Sequence, residues 1–153
     1  MLRRILTTVA LAALVLVAAC GGKQDTLGGE DLIAEALPSM MSEVEEQGRN
    51  YLFDLSSVID AHMDDPDQLV TRVEAFLRVN QAAMLDNATE IEARYLAFEG
   101  SERRVYEAQY SAFMHEAWVE WRDVRRRLTT RHPQAWARVR DMIERVDGRT
   151  HAG

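Results

Sequence analysis

Apolar side chains recur at intervals of three and four residues along most of the chain, a spacing typical of amphipathic helices. The first stripe ends at His62. Pro38 suits the first turn of a helix, because proline lacks an amide that would be unpaired there. We therefore predict a helix that begins near Pro38, after a short lead-in over residues 31–37. The stripe consists of Leu37, Met41, Val44, Gly48, Tyr51, Leu55, Val58 and His62.

Residues 64–68 combine the end of this helix with the start of another. Asp65 can accept hydrogen bonds from the free amides of a first turn, and Pro66 suits the first helical position. A second apolar stripe follows as far as Phe98, and Gly100 then provides a helix stop. The pattern therefore predicts a second long helix between Pro66 and Phe98.

Two further stripes predict a third helix over about residues 102–129 and a short fourth helix over 133–146. Pro133 separates them, because the residue before a proline is pushed out of helical geometry. No strand-like alternation occurs in the sequence, so the predicted fold class is all-α. Short turns between three long helices favour an antiparallel three-helix bundle with a short fourth C-terminal helix, followed by a disordered tail over 148–153. The main alternative is that Gly100 only kinks one very long helix, giving an extended or dimeric coiled coil.

The first twenty residues differ from the rest. Arg3 and Arg4 form a short basic start, an apolar run follows, and small residues lead to Cys20, the single cysteine of the chain. A basic start, an apolar run and a small-residue cleavage site are the three parts of a secretory signal peptide. The run is also shorter than the ~20 apolar residues that a spanning helix needs. We therefore predict that residues 1–19 are a cleaved signal peptide.

The end of this signal, Val17-Ala18-Ala19-Cys20, resembles the lipobox of bacterial lipoproteins, whose cysteine carries a covalent diacylglycerol lipid after cleavage. The resemblance covers residues 1–20 only. It implies that Cys20 is a membrane anchor in the bacterial cell envelope. Gly21 next to it favours the outer membrane, facing the periplasm, in a host that has one. The alternatives are a plain secretory peptide with a free cysteine and an uncleaved anchor.

The residues that follow the cysteine are rich in glycine and lack apolar periodicity. Residues 20–29 are therefore predicted to be the lipidated cysteine and a flexible tether. This assignment places the helical bundle domain at residues 30–147.

Charge is distributed unevenly along the chain. The sequence has 25 acidic and 18 basic residues, for a net charge of −7. Acids dominate the first half of the helical region and arginines the second half. We interpret this asymmetry as an acidic first half folding back on a basic second half, with a basic face for phosphate or lipopolysaccharide as the alternative. A net negative exported chain is a poor binder of nucleic acid, so no nucleic-acid partner is expected.

The sequence offers little support for a metal site or a catalytic site. The sequence contains no motif for covalent haem, for a di-iron bundle or for a zinc protease. The weak metal candidates are His62, Met114 and His115, and His62 is more simply a half-buried core or cap residue. No serine lies in a Gly-x-Ser-x-Gly turn, and no residue qualifies as catalytic. We therefore expect a protein that is not an enzyme and has no cofactor beyond the lipid on Cys20.

Two groups of side chains are candidate binding features. Asn80 and Asn87 lie one heptad apart on the apolar stripe of the second helix. Buried amides at such positions fix register or oligomeric state, although these two could instead line a ligand groove or be exposed. On the third helix, tryptophan and arginine share one side, which suits either the densest part of the core or a surface for apolar peptide, lipid or glycan. This second candidate surface consists of Trp118, Trp121, Arg122 and Arg125.

Together these features favour a lipid-anchored, non-enzymatic helical bundle that binds another envelope protein or a hydrophobic client in a chaperone-like manner. Helical periplasmic stress chaperones offer an architectural analogy only, since their Leu-Thr-x-x-Gln repeats do not occur here. The alternative is a carrier of a small molecule, haem or metal in the bundle interior.

Overall fold

The computed structural model describes residues 38–148, and this part of the chain is all-α, as predicted. The predicted signal peptide, Cys20, the tether and the tail beyond residue 148 lie outside the described residues. Within residues 38–148 four helices follow one another with short connections. They are α1 (Glu43–Ala61), α2 (Pro66–Ala97), α3 (Gly100–Arg131) and α4 (Pro133–Gly148).

The start of α1 is fixed by a capping box. The Ser42 hydroxyl accepts a hydrogen bond from the amide of Val44, and the Glu45 carboxylate accepts one from the amide of Ser42 at 2.8 Å. These reciprocal bonds satisfy amides that the first helical turn would otherwise leave free. The predicted start near Pro38 is therefore wrong by more than one turn, because the cap and not the proline sets the boundary.

The break between α1 and α2 follows the local signals. The Asp65 side chain accepts a hydrogen bond from the amide of Gln68 at 3.0 Å, and Pro66 occupies the first turn. α2 then continues without interruption to Ala97. Gly100 opens α3 with a positive φ of 52°, a conformation that glycine adopts without steric cost. α2 and α3 are therefore two separate helices.

The core forms where α1 and α4 each pack against both α2 and α3. Direct contact between α2 and α3 is slight by comparison. At one end of the core the Trp121 ring of α3 lies 6.3 Å from the Trp136 ring of α4. The bulkiest fully buried side chains of the described residues are Trp121, Tyr106, Leu55, Ile59, Leu69 and Leu128.

Ion pairs join acids around the α1–α2 connection to arginines of α3 and α4. The acidic first half does therefore meet the basic second half at this end of the described helices. The pairs are largely exposed, so each contributes little to stability. They are Asp60 with Arg127, Asp64 with Arg131 and Asp67 with Arg138.

Candidate functional site

α4 is much shorter than the two helices that it covers. α2 and α3 have 32 residues each, whereas α4 has 16. The last described side chains of α4 line a surface cleft of about 260 Å³ together with Leu77 and Gln81 of α2. Beyond Gln81, α2 continues for about 24 Å at 1.5 Å per residue. This part of the α2 surface therefore extends past the end of α4.

The surface beyond α4 is apolar and aromatic. On α2, Leu85 and Ala88 follow Leu77 and Gln81 at helical spacing, on the side that packs against α4. On α3, Tyr110 and Trp118 come before the core residue Trp121 in the chain. The centroids of the Tyr110 and Trp118 rings lie 6.2 Å apart. All four are partly buried against the core. We call the surface formed by Leu85, Ala88, Tyr110 and Trp118, together with the buried Met84 and Met114 on the same two helices, the distal groove.

The distal groove contains an unused hydrogen-bond donor. The Trp118 indole Nε1 is shielded from solvent and donates to no acceptor among the described residues. Leaving a buried donor unpaired costs about 1–3 kcal/mol, so most proteins avoid it. Burial raises the pKa of the neighbouring Tyr110 to about 12, with a further contribution from the negative charge of Glu45. Tyr110 is therefore a neutral phenol at physiological pH.

The structure separates the members of the aromatic and arginine surface predicted on α3. Trp121 is only 1 % exposed and belongs to the core, so it is removed from that surface. Trp118 is half-buried and lies in the distal groove. Arg122 is exposed and Arg125 is half-buried. Neither arginine has an ion-pair partner among residues 38–148, and they lie about one and two turns past Trp118 in the direction of α4.

The two asparagines of α2 also have different environments. Asn87 is buried, and its amide donates to the main-chain oxygen of Val44 in α1 at 2.8 Å. A Cβ added at Gly48 would lie 3.0 Å from the Asn87 side-chain oxygen, so α1 and α2 approach closely here. Asn80 instead donates within its own helix, to the main-chain oxygen of Phe76 at 2.9 Å. Only Asn87 therefore links two helices.

Replacing Asn87 by Leu is expected to lower the free energy of unfolding by about 1–2 kcal/mol. The change removes the hydrogen bond to Val44 and forces a bulkier branched side chain against Gly48. Asn80→Leu is the matched control, and we expect it to change stability by no more than about 0.5 kcal/mol. Urea unfolding followed by circular dichroism measures both, and equal effects would contradict the assignment of the helix contact to Asn87.

A buried carboxylate that sequence reasoning missed joins three helices. Glu45 is 0 % exposed. Its carboxylate accepts hydrogen bonds from Arg94 Nε of α2 and from the Tyr106 hydroxyl of α3, both at 2.7 Å. It also accepts from the amide and the hydroxyl of Ser42, at 2.8 and 2.6 Å. The spacing of Ser42 and Glu45, which fits a capping box, was a local sequence signal for this residue. No sequence signal pointed to its partners Arg94 and Tyr106, because they are distant in the chain.

The electrostatics of this cluster indicate a structural role. Burial alone would raise the pKa of Glu45, but hydrogen bonds from Ser42, Tyr106 and Arg94 outweigh burial and hold the pKa below its usual value. Arg94 also donates to the main-chain oxygen of Met40 at 2.9 Å. With four donors on one enclosed carboxylate, the cluster holds the first turn of α1 against α2 and α3.

The weak metal candidates occupy different environments. Met114 is buried in the core, whereas His115 is exposed. His62 is half-buried at the C-cap of α1. Across residues 38–148 no group of three or more histidine, cysteine, aspartate or glutamate side chains is arranged to hold a metal ion.

The described helices were also compared with membrane spans and with known proteins. None of the helices within residues 38–148 has the combination of length and apolar content needed to cross a bilayer. No protein-family model, curated protein or solved structure matches the chain. Any assignment of function therefore depends on the residues of the distal groove and on the N-terminal sequence.

Proposed function

We propose that this protein is a lipid-anchored, non-enzymatic binding module of the bacterial cell envelope, with the distal groove as its binding surface. The observation that supports this most is the half-buried aromatic lining of the groove, where Tyr110 and Trp118 pack against the core. Tryptophan and arginine are the residues that contribute most often to binding energy at protein interfaces. Arg122 and Arg125 follow Trp118 on the same helix, so the surface has the composition of an interaction site for another envelope protein.

We also infer that α1, α2 and α3 form an antiparallel three-helix bundle, with α4 packed over one end. Support comes from contacts at both ends of α1. Near its start, Glu45 bonds to the last part of α2 and to the first part of α3. Near its end, Asp60 pairs with Arg127 in the last part of α3. A single α2–α3 rod would separate these partners, so it does not fit the contacts.

The anchor is proposed from the lipobox-like sequence that ends at Cys20. A tether over residues 21–29 would reach at most about 30 Å when fully extended. A bundle on so short a tether stays close to the bilayer, and the outer membrane facing the periplasm is the favoured location. The distal groove would then meet partners that are themselves held in or near that membrane.

Site-specific crosslinking in whole cells tests the binding surface. We expect a photo-reactive side chain at position 85, in the distal groove, to crosslink the full-length chain to one envelope protein. The same group at Val79 is the matched control, because Val79 lies on α2 but is 80 % exposed on another face. A second substitution, Trp118→Ala, is expected to reduce the crosslink from position 85 several-fold. Equal crosslinking from positions 79 and 85, or no crosslink from either, would contradict the proposed surface.

A further inference from the structure

We propose that residues 38–41 form a releasable strap, which sets the length of the connection between the bundle and the N-terminal tether. The strap is the non-helical segment that precedes Ser42, the N-cap of α1. In the chain it lies between the tether predicted over residues 20–29 and the helices. This use of the strap rests on the lipid anchor proposed above, whereas its release does not require the lipid.

Two side chains hold the strap, and both bond to its main chain. The side-chain amide of Gln109 in α3 accepts a hydrogen bond from the amide of Met40 at 2.7 Å and donates one to the main-chain oxygen of Pro38 at 3.2 Å. Arg94 of α2 donates to the main-chain oxygen of Met40 at 2.9 Å. These hydrogen bonds fasten the strap to the two long helices.

The strap contributes little to the core. Pro38 and Ser39 are exposed, and Met40 and Met41 are half-buried. None of them belongs to the described hydrophobic core or to the side chains packed against it. Hydrogen bonds to the protein can be replaced by hydrogen bonds to water, so release of the strap costs much less free energy than unfolding of a helix that is packed in the core.

α1 is held in the bundle by contacts that do not include the strap. Glu45 accepts hydrogen bonds from Arg94 Nε and from the Tyr106 hydroxyl, and neither bond includes an atom of residues 38–41. The capping box of Ser42 and Glu45 likewise closes the first turn of α1. The Arg94 side chain is 32 % exposed, so water can replace Met40 as an acceptor. α1 therefore stays in place when the strap is released.

Release of the strap changes the reach of the tether. Four residues add at most about 13 Å to an extended chain. While the strap is fastened, a pull on the N-terminus acts on α2 and α3 through Arg94 and Gln109. After release the same pull acts at Ser42, and the bundle stands farther from the bilayer with its helices intact. The strap therefore gives the tether two lengths without unfolding the binding module.

Amide hydrogen exchange tests whether the strap opens separately from the helices. The Met40 amide reports on the strap because its acceptor is Gln109, and the Leu55 amide reports on α1, where this side chain is 1 % exposed. In the ¹⁵N-labelled chain with Cys20→Ser, we expect the Met40 amide to be protected, but to exchange at least about a hundredfold faster than the Leu55 amide. Equal protection of the two amides would overturn the proposal, because the strap would then open only when the bundle unfolds. A fully unprotected Met40 amide would overturn it as well, because the strap would then not be fastened.

Gln109→Ala and Gln134→Ala are a matched pair of variants. Gln109→Ala removes two bonds to the strap, so it should speed exchange at the Met40 amide at least about tenfold and leave the Leu55 amide unchanged. Gln134 is an exposed glutamine of α4, and its replacement should change neither amide. Faster exchange at both amides in Gln109→Ala would mean that Gln109 supports the whole bundle, which would contradict a separate strap.

Pulling on single molecules tests the change in tether length. The Cys20 thiol of the unlipidated chain and a cysteine added after residue 153 serve as handles in an optical trap. We expect the native chain to extend by up to about 13 Å before the helices unfold, and Gln109→Ala to lack this early step while its helices unfold at the same force. A strap and helices that yield together would overturn the proposal, and so would an early step that persists in Gln109→Ala. Neither measurement uses the lipid, so a native chain without acyl label would refute the proposed anchor and leave the release of the strap standing.

Discussion

Replacing Glu45 by Gln is expected to lower the free energy of unfolding by about 3 kcal/mol. The substitution keeps the shape of the side chain but removes the charge that Arg94 and Tyr106 bond. It also leaves the Arg94 guanidinium without its acid, and removal of one partner from a buried ion pair typically costs about 3–5 kcal/mol. Because Arg94 is partly solvated, we place the effect at the lower end of that range.

Chemical unfolding of the Cys20→Ser chain, followed by circular dichroism, measures this loss. Glu46→Gln is the matched control, since Glu46 is the next residue of the same helix and is exposed. We expect the control to change stability by no more than about 0.5 kcal/mol. A similar loss in both variants would mean that net charge, rather than the Glu45 cluster, accounts for the effect.

The same cluster predicts a direction for the pH dependence of stability. The pKa of Glu45 is lowered in the folded protein, so its contribution is fully present above the pKa of a free carboxyl, about 4.3. The contribution is lost as the pH falls through the lower pKa of the folded state, because the unfolded chain then binds the proton more readily. We therefore expect the stability difference between the native chain and Glu45→Gln to narrow below about pH 4. A constant difference down to pH 2 would contradict this account.

Replacing Cys20 by Ser is expected to release the protein from the membrane almost completely. If Cys20 carries a diacylglycerol, its acyl chains contribute about 0.8 kcal/mol for every methylene that enters the bilayer, and two chains give stable attachment. Serine has no thiol to receive the lipid. Detergent phase partitioning and radioactive acyl labelling of cells that express the full chain measure the change.

Thr26→Ser, in the predicted tether, is the matched control and should leave both lipid labelling and partitioning unchanged. Continued membrane partitioning of the Cys20→Ser chain would show that the N-terminal segment is an uncleaved anchor. A soluble chain with no acyl label in the native sequence would show that it is a plain secretory signal. Either result would remove the basis for the proposed lipid anchor and for the outer-membrane location.

Local signals in the sequence were sufficient to predict the four helices, but they placed some helix boundaries better than others. Asp65 and Pro66 act on amides a few residues away, and so the break before α2 was predicted where it occurs. Pro133 ends α3 by the same kind of short-range steric effect. At the start of α1 the prediction relied on Pro38 alone, whereas the hydrogen bonds of Ser42 and Glu45 set the boundary. A proline only permits a first turn, whereas a capping box fixes where the turn begins.

Periodicity by itself placed residues on a stripe without showing which helix each would meet. Asn80 and Asn87 share a stripe, yet only Asn87 reaches α1, because its neighbour Gly48 lets the two backbones approach. Trp118 and Trp121 were likewise grouped together. Three residues correspond to about 300° around a helix, so they lie about 60° apart, and one faces the core while the other faces the groove.

The sequence alone determined what depends on neighbours within a few residues, namely the all-α class and the helix breaks, whereas the export signal that ends at Cys20 stays a prediction. The tertiary structure alone decided what depends on distant partners. Glu45 meets Arg94 and Tyr106 from other helices. Because α4 is shorter than α2, it ends before the distal groove and does not cover it. No local pattern encodes either feature, because each arises from side chains that only packing brings together.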